Sequence, residues 1–245
     1  MRTFTLLARP GPLELDLDKT AIIVVDMQND FGSEGGMFHL AGIDIAPIKA
    51  IVPAVAAVLR DARAAGMQVV YLQQQHLPDL SDTGSARSPH FLKHQPLQLG
   101  KTVPTPDGST GRILVANTWN TAIVDALAPM PGDMIIPKHR YSGFFETDLH
   151  ERLQAAGIDT LIFTGATTSI CVESTLRDAM FRDYACVALS DCTAEPIAYA
   201  ARSNHEASLL NIELLFGWVA QSANLQNLLA ESAAAAGLRS AGTTA

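Results

Sequence analysis

Four apolar runs, each rich in β-branched residues, constrain this chain more than any other feature. They are "TAIIVVDM" (20–27), "MQVVYLQQ" (67–74), "DTLIFTGA" (159–166) and "YACVALSD" (184–191), with a shorter "DMIIP" at 133–137. Continuous apolar runs of this length read as strands buried on both faces. Helical patterns lie between them at 46–66, 120–129, 146–157, 171–184 and 196–212. Strands alternating with helices imply a three-layer αβα domain around a mostly parallel sheet. Gly66 and Gly157 each stand past a helix and before a strand, where a C′ glycine belongs. Thr147 and Asp148 precede Leu149 as capping residues, and Pro53 marks an early turn or a kink in the first long helix.

A chain of 245 residues can bury a substantial core, and 48% hydrophobic against 17% charged residues is a globular balance. The domain is taken as 1–232. The stretch "AESAAAAGLRSAGTTA" is low in complexity, so 233–245 is set apart as a C-terminal tail, a helix end followed by a mobile segment. A net charge of -8 without a Lys/Arg cluster argues against nucleic acid as a partner. "MRTFTLLARPGPLELDLDKT" has no long apolar stretch, and no run approaches the roughly 18 residues that a membrane span needs. Cys171, Cys186 and Cys192 form no C-x-x-C pair and leave one over in any disulfide scheme. That usage points to a reducing, cytoplasmic compartment in which thiols are free for chemistry.

In parallel α/β sheets, ligands sit beyond the carboxyl ends of the strands. Three reactive side chains fall there: Asp26 closes "AIIVVD", Lys138 follows "DMIIP", and Cys171 follows "LIFTGATTSI". Each has a plain alternative, as a turn cap, a solvated lysine or a small buried hydrophobe. Their shared position raises all three together. A cysteine at a helix start has a lowered pKa, a neighbouring ammonium favours the thiolate further, and an aspartate can take the thiol proton and return it to a leaving amine. Backbone N–H groups of "ATTSIC" are then candidates for an oxyanion hole.

"AIIVVDMQNDF", "PKHRYSGFFETDL" and "TGATTSICVESTLRDA", in that order, resemble the isochorismatase-like cysteine hydrolases over nearly the whole of 15–220. The resemblance implies a Rossmann-like topology and a triad of Asp26, Lys138 and Cys171. It also implies a cis peptide at Ala166–Thr167 and an oxyanion hole from the amides of Thr167 and Cys171. Within the family, "KHRYSGFFETDL", "LNIELLFGWV", "GGMFHLAGID" and "SPHFLKHQP" look most like the ureidoacrylate amidohydrolase branch, while "HLPDLSD" looks like biuret- and triuret-type hydrolases. The run Gln73–Gln75 departs from the ureidoacrylate branch. Nicotinamidases of the family carry an Asp-x-His-His zinc site; here "QQQHLPD" holds His76 with no second histidine nearby, so neither metal nor cofactor is expected. Family members suggest a homodimer or homotetramer.

A small ureido or amide substrate offers flat N–H donors and C=O acceptors. Substrate-side candidates are Asn29, near Asp26; Gln75, ending the second strand; Arg140 and Tyr141, just past Lys138; and Phe38, Phe91 and Trp119 as pocket walls. Asn29 is as readily a turn former, Arg140 and Tyr141 as readily surface or interface residues, and the aromatics as readily core. The unpatterned stretch 76–118 has the length of a lid or binding loop. The expected function is therefore cysteine-dependent hydrolysis of a C–N bond in an N-carbamoyl or ureido compound. Biuret or triuret hydrolysis and a non-catalytic binding domain are the alternatives. Hydride transfer is disfavoured, because "DMQNDFGSEGG" stands where G-x-G-x-x-G would follow the first strand.

Overall fold

The computed structural model describes residues 3–197 and 204–241, with side chains up to residue 236. An antiparallel hairpin, β1 (Thr3–Leu6) and β2 (Leu13–Asp16), leads into β3 (Thr20–Val25). Two short helices, α1 (Asn29–Gly32) and α2 (Met37–Leu40), and the long α3 (Ala46–Ala64) carry the chain to β4 (Gln68–Gln74). Then come α4 (Pro89–His94), a small hairpin of β5 (Thr102–Pro104) and β6 (Thr110–Arg112), and β7 (Met134–Lys138). The rest alternates through α5 (Leu149–Ala155), β8 (Thr160–Ala166), α6 (Glu173–Met180), β9 (Ala185–Ala194), α7 (Asn204–Asn211), β10 (Trp218–Ala220) and α8 (Ser222–Ala241).

Six strands form one sheet in the order β10-β9-β8-β3-β4-β7, and every pairing in it is parallel. This is the expected αβα architecture. Every residue of β3 and β8 is buried, which is why their sequences show no alternation. Alternation is present all the same in which core each side chain joins. Ile22, Val24, Val69 and Tyr71 pack under α3 and α8, whereas Ile23, Val25, Val70 and Leu72 pack under α5 and α6. Each such buried side chain contributes about 1.5–3 kcal/mol. The chain runs from β3 through β4 to β7 at one edge and then returns to β8 on the other side of β3. The connections leaving β3 and β8 therefore run toward opposite edges of the sheet, and a crevice is expected past the carboxyl ends of these two paired strands.

Gly165 lets the two strands stay close at that point. Its φ is +107°, and an added Cβ would lie 2.1 Å from the Val25 carbonyl oxygen. Gly66 and Gly157 also have left-handed φ, +74° and +69°, as C′ residues should.

Elsewhere the structure departs from the sequence reading. Residues 120–129 are not an α-helix; they hold two single 3₁₀ turns, Trp119–Thr121 and Asp125–Leu127. Between the turns the backbone is drawn out to pair with the loop leaving β3, through Asn29 N to Ala122 O (2.9 Å) and Val124 N to Met27 O (3.0 Å). Those tertiary bonds override a local helical pattern. The helix near 146 begins at Leu149, whose amide donates to Thr147 Oγ1 (3.4 Å), while the Asp148 side chain makes no cap bond. Pro53 lies inside α3 on its exposed face. Helix α8 continues to Ala241, well past residue 233; residues 242–245 lie outside the described part, as do 198–203 of the helix expected over 196–212. Among the described residues no helix is long and apolar enough to cross a membrane.

The stretch 76–118 is closed at its base, where His76 N donates to Leu114 O (2.7 Å) and Ala116 N to His76 O (2.9 Å). The buried Asp30 carboxylate ties it to α2, accepting from Met37 N (2.9 Å), Leu114 N (2.6 Å) and Asn120 Nδ2 (2.6 Å). Gly165→Ala is expected to lower stability by about 2 kcal/mol or more, because a Cβ there meets backbone and the φ is left-handed. Urea unfolding measures this, and an unchanged midpoint would show that β3 and β8 can separate at no cost.

Candidate active site

Asp26 is the first residue past β3 and adopts a left-handed backbone, φ +49°. Aspartate is among the few residues that enter this region readily, because its short side chain bonds locally. Its amide donates to Leu72 O (3.0 Å) and its carbonyl accepts from Gln28 N (2.8 Å), so the backbone aims the carboxylate into the crevice. Lys138 ends β7 and is the register partner of Gln74, which ends β4. The Lys138 ammonium donates to Asp26 Oδ2 (2.8 Å), Gln74 Oε1 (2.8 Å) and Arg140 O (3.1 Å). Asp26 Oδ1 also accepts from Gln74 N (3.1 Å). Cys171 sits in a π-turn, Thr168–Val172, between β8 and α6, and its sulfur is close enough to Asp26 and Lys138 for both charges to act on it. Asp26, Lys138 and Cys171 thus converge from three different strands, and all three are buried.

Burial sets their protonation, with the ion pair working against it. Desolvation pushes the Asp26 carboxyl above its ordinary value, although the Lys138 ammonium and the Cys171 and Gln74 donors pull it down. Desolvation would lower Lys138, but the Asp26 carboxylate and the Cys171 sulfur more than reverse this, and its pKa is raised. Cys171 is pushed up by burial first and by the Asp26 charge next, and Lys138 offsets only part of that. The expected lowering of the thiol pKa is therefore not found. The sulfur lies within a π-turn ahead of α6 and beside a carboxylate, where the helix start has little leverage. Burial and the Asp26 charge thus favour the thiol form of Cys171, while Lys138 is held protonated by its partners.

The Ala166–Thr167 peptide is cis, as the resemblance implied. Thr167 O accepts from Ile170 N and Val172 N (3.2 Å each), and Glu195 takes up Ser169 N (2.9 Å). Among the described residues no backbone carbonyl outside the turn takes up the amides of Thr167 and Cys171.

A cavity of about 280 Å³ opens onto Cys171 and Thr167. Phe38 and Tyr141 line it, as expected. Five other candidates do not. Gln75 is replaced by Gln74: β4 alternates, and position 74 is the one that faces Lys138 and the cavity. Gln74 Nε2 is buried and has no protein partner, a donor held ready by the amide oxygen that Lys138 fixes. Asn29 is occupied elsewhere, donating to Trp119 O (2.9 Å) and accepting from Ser33 Oγ (2.8 Å). Arg140 spends its guanidinium on Asp82 O (2.7 Å) and His139 O (2.6 Å); only its own carbonyl serves the site. Phe91 faces a separate hollow with Leu80, Thr83, Gln95 and Leu99, and Trp119 lies beside Gly35. Phe31, Met37, Lys93, His94, Leu97, Ile170 and Ile197 complete the cavity and were not foreseen, since nothing local in the sequence shows which residues of 76–118 fold back.

His76 is not isolated. The rings of His90 and His94 stand 5.6 and 6.5 Å from it, brought there by α4. Burial pulls His76 down to about 4 and His90 to about 3, so these rings are neutral. The Asp of the zinc motif is Gln74 here, and His76 Nδ1 is already bound to Asp82 (3.1 Å). Among the described residues no set of three or more His, Cys, Asp or Glu side chains is arranged to hold a metal ion.

The isochorismatase domain matches residues 20–224. The chain belongs to the isochorismatase family. Among its relatives in the family, ureidoacrylate amidohydrolase RutB of Methylorubrum extorquens is 43% identical over 230 residues, 94% of this chain and 90% of that protein. The protein of the same name from Yersinia enterocolitica is 42% identical over 226 residues, 92% of this chain and 96% of that one. A cysteine hydrolase from Pseudomonas syringae pv. phaseolicola superposes with a TM-score of 0.74 at 31% identity, covering 93% of this chain and 98% of the other. N-carbamoylsarcosine amidase from Thermoplasma acidophilum gives 0.61 at 27% identity, over 83% and 96%.

The Asp26–Lys138 pair yields a test of sign. Lys138→Met leaves a buried carboxylate without its ammonium, a loss of about 3–5 kcal/mol at neutral pH. Desolvation already raises Asp26 in the intact protein, so without Lys138 the carboxyl takes up a proton more readily still. A folded-state pKa above the unfolded one means stability present at low pH and lost as pH rises through the folded value. The variant is therefore expected to be more stable to urea at pH 5 than at pH 8, and Asp26→Asn in the same background to flatten that dependence.

Proposed function

We propose that this protein is a cysteine-dependent amidohydrolase that cleaves the C–N bond of a small ureido acid of the ureidoacrylate type. The observation that carries the reading is a buried Cys171 that lines the cavity and feels the Lys138–Asp26 ion pair, with Gln74 Nε2 beside it lacking a partner. The curated relatives named for that reaction support it.

In this reading Asp26 takes the Cys171 proton as the sulfur attacks the carbamoyl carbon. Charge develops on the carbonyl oxygen, and the amides of Thr167 and Cys171 stabilise it. Gln74 Nε2 donates to the substrate. Lys138 keeps its proton throughout and holds Asp26 ionised beforehand. When the tetrahedral adduct collapses, the C–N bond breaks and Asp26 returns the proton to the departing amine, leaving an S-carbamoyl group on Cys171. Water then attacks that group and gives Asp26 a proton. As the C–S bond breaks, the proton passes to the sulfur and carbamic acid leaves. The site's carboxylate is a base only because an ammonium offsets its desolvation.

We further read Leu210, Leu214 and Leu215, exposed at the end of α7 and in the turn after it, as part of a homodimer or homotetramer contact. The three buried free thiols suit a cytoplasmic setting.

Cys171→Ala is expected to abolish ammonia release from ureidoacrylate without changing the unfolding free energy in urea by more than about 1 kcal/mol; turnover by that variant would remove the mechanism. In the wild type, mass spectrometry of an acid-quenched reaction should show a carbamoyl adduct on the peptide holding Cys171. Because Asp26 must be ionised to act and its pKa is raised, kcat/KM is expected to fall on the acid side at a pH above 3.8. A pH profile flat down to that value would exclude Asp26 as the base.

A further inference from the structure

The cavity over Cys171 is unevenly furnished. Its reacting end carries Cys171, Thr167, Gln74 and Tyr141, and much of the remaining wall is apolar, with Phe31, Phe38, Leu97 and Ile170 among it. On the last turn of α4 two further residues complete it, Lys93 and His94.

Charge singles out Lys93 among the described residues, where no Asp or Glu side chain lines the cavity. The Lys138 ammonium is committed to Asp26, Gln74 and the Arg140 carbonyl. Arg140, the residue whose fork would suit a carboxylate, is turned to two backbone carbonyls and to the ring of Phe145 at 5.4 Å. His94 cannot substitute. Its Nδ1 lies 2.8 Å from His90 O, and a carbonyl only accepts, so Nδ1 carries the proton and Nε2 presents a lone pair that repels an anion. Lys93 is exposed, and among the described residues its ammonium has no hydrogen-bond or ion-pair partner. It is thus an exposed cation on a flexible four-carbon stem that lines a largely apolar cavity.

We propose that Lys93 receives the carboxylate of the substrate and makes the pocket selective for ureido acids over neutral ureas and amides. The inference rests on the reaction reading above and deepens it. A carbamoyl group at Cys171, a short apolar linker and a carboxylate at Lys93 would each meet its match among the residues that line the cavity: donors, hydrocarbon and a positive charge. Neutral biuret offers nothing for that last contact.

The test compares ureidoacrylate with its methyl ester, which keeps the reacting group and removes the charge. Wild-type protein is expected to favour the acid in kcat/KM, and Lys93→Gln to lower the acid-to-ester ratio roughly tenfold through KM, as loss of one partly shielded ion pair would. Lys93→Arg should restore most of the ratio, and added salt should erode it in the wild type but not in Lys93→Gln. An acid-to-ester ratio within twofold of wild type in Lys93→Gln, while the wild type hydrolyses the acid, would overturn the assignment of Lys93 and leave the reaction reading intact. Failure of the wild type to hydrolyse any ureido compound would overturn both.

Discussion

The ion pair between Lys138 and Asp26, closed off from solvent at the lip of the sheet, is the constraint on which the site depends. Neither charge would survive there alone: an isolated carboxylate or ammonium in such a place gives up its charge instead. The pair exists because β4 and β7 run in register, so that Gln74 and Lys138 end side by side, and because β3 ends beside β4. Gln74 acts as a brace, bonding the lysine through its side chain and the aspartate through its backbone. Arg140 adds a carbonyl from the far side. A parallel sheet makes such a gathering possible, since it delivers every strand's carboxyl end to the same edge.

Much of this could be read from the sequence, and for one reason. Runs such as "AIIVV" and "TLIFTGA" identify strands by composition alone, and in a parallel sheet the residue that follows a strand must lie at the functional edge. Asp26, Lys138 and Cys171 were found that way before any contact was known. What lay beyond that rule was less accessible. Gln74, and not the expected Gln75, faces the site, because a strand read without its register leaves the facing parity open. Residues 120–129 have a helical pattern but spend their backbone on the loop after β3. The three histidines gather only because α4 folds back over the crevice, and 76–118 has no periodicity to reveal it. The thiol's protonation was misjudged because helix starts favour anions in general, whereas here a carboxylate shares the same closed space.

The loop from 76 to 118 and the segment after β3 behave as one body. Asp30 accepts from the backbone of α2, from the strand of backbone after β6 and from the Asn120 side chain, and Gln28 bonds both Gln74 and Thr121. Met37, which lines the cavity, and Gln74, which lines it and braces Lys138, are therefore held by the same knot. Pocket shape and triad geometry are mechanically linked, although the residues that set them lie far apart in the chain.

The neutral state of Cys171 has a bearing on how the protein ages in the cell. Peroxides attack sulfur as the anion, climbing from sulfenic to sulfonic acid, and a sulfur that holds its proton is a slow target. In the proposed reaction the anion arises only as the sulfur attacks a carbonyl carbon and Asp26 takes its proton. An idle thiol, its pKa raised by burial first and by the Asp26 charge next, is thus a slow target, and on that reading damage accumulates with use rather than with time.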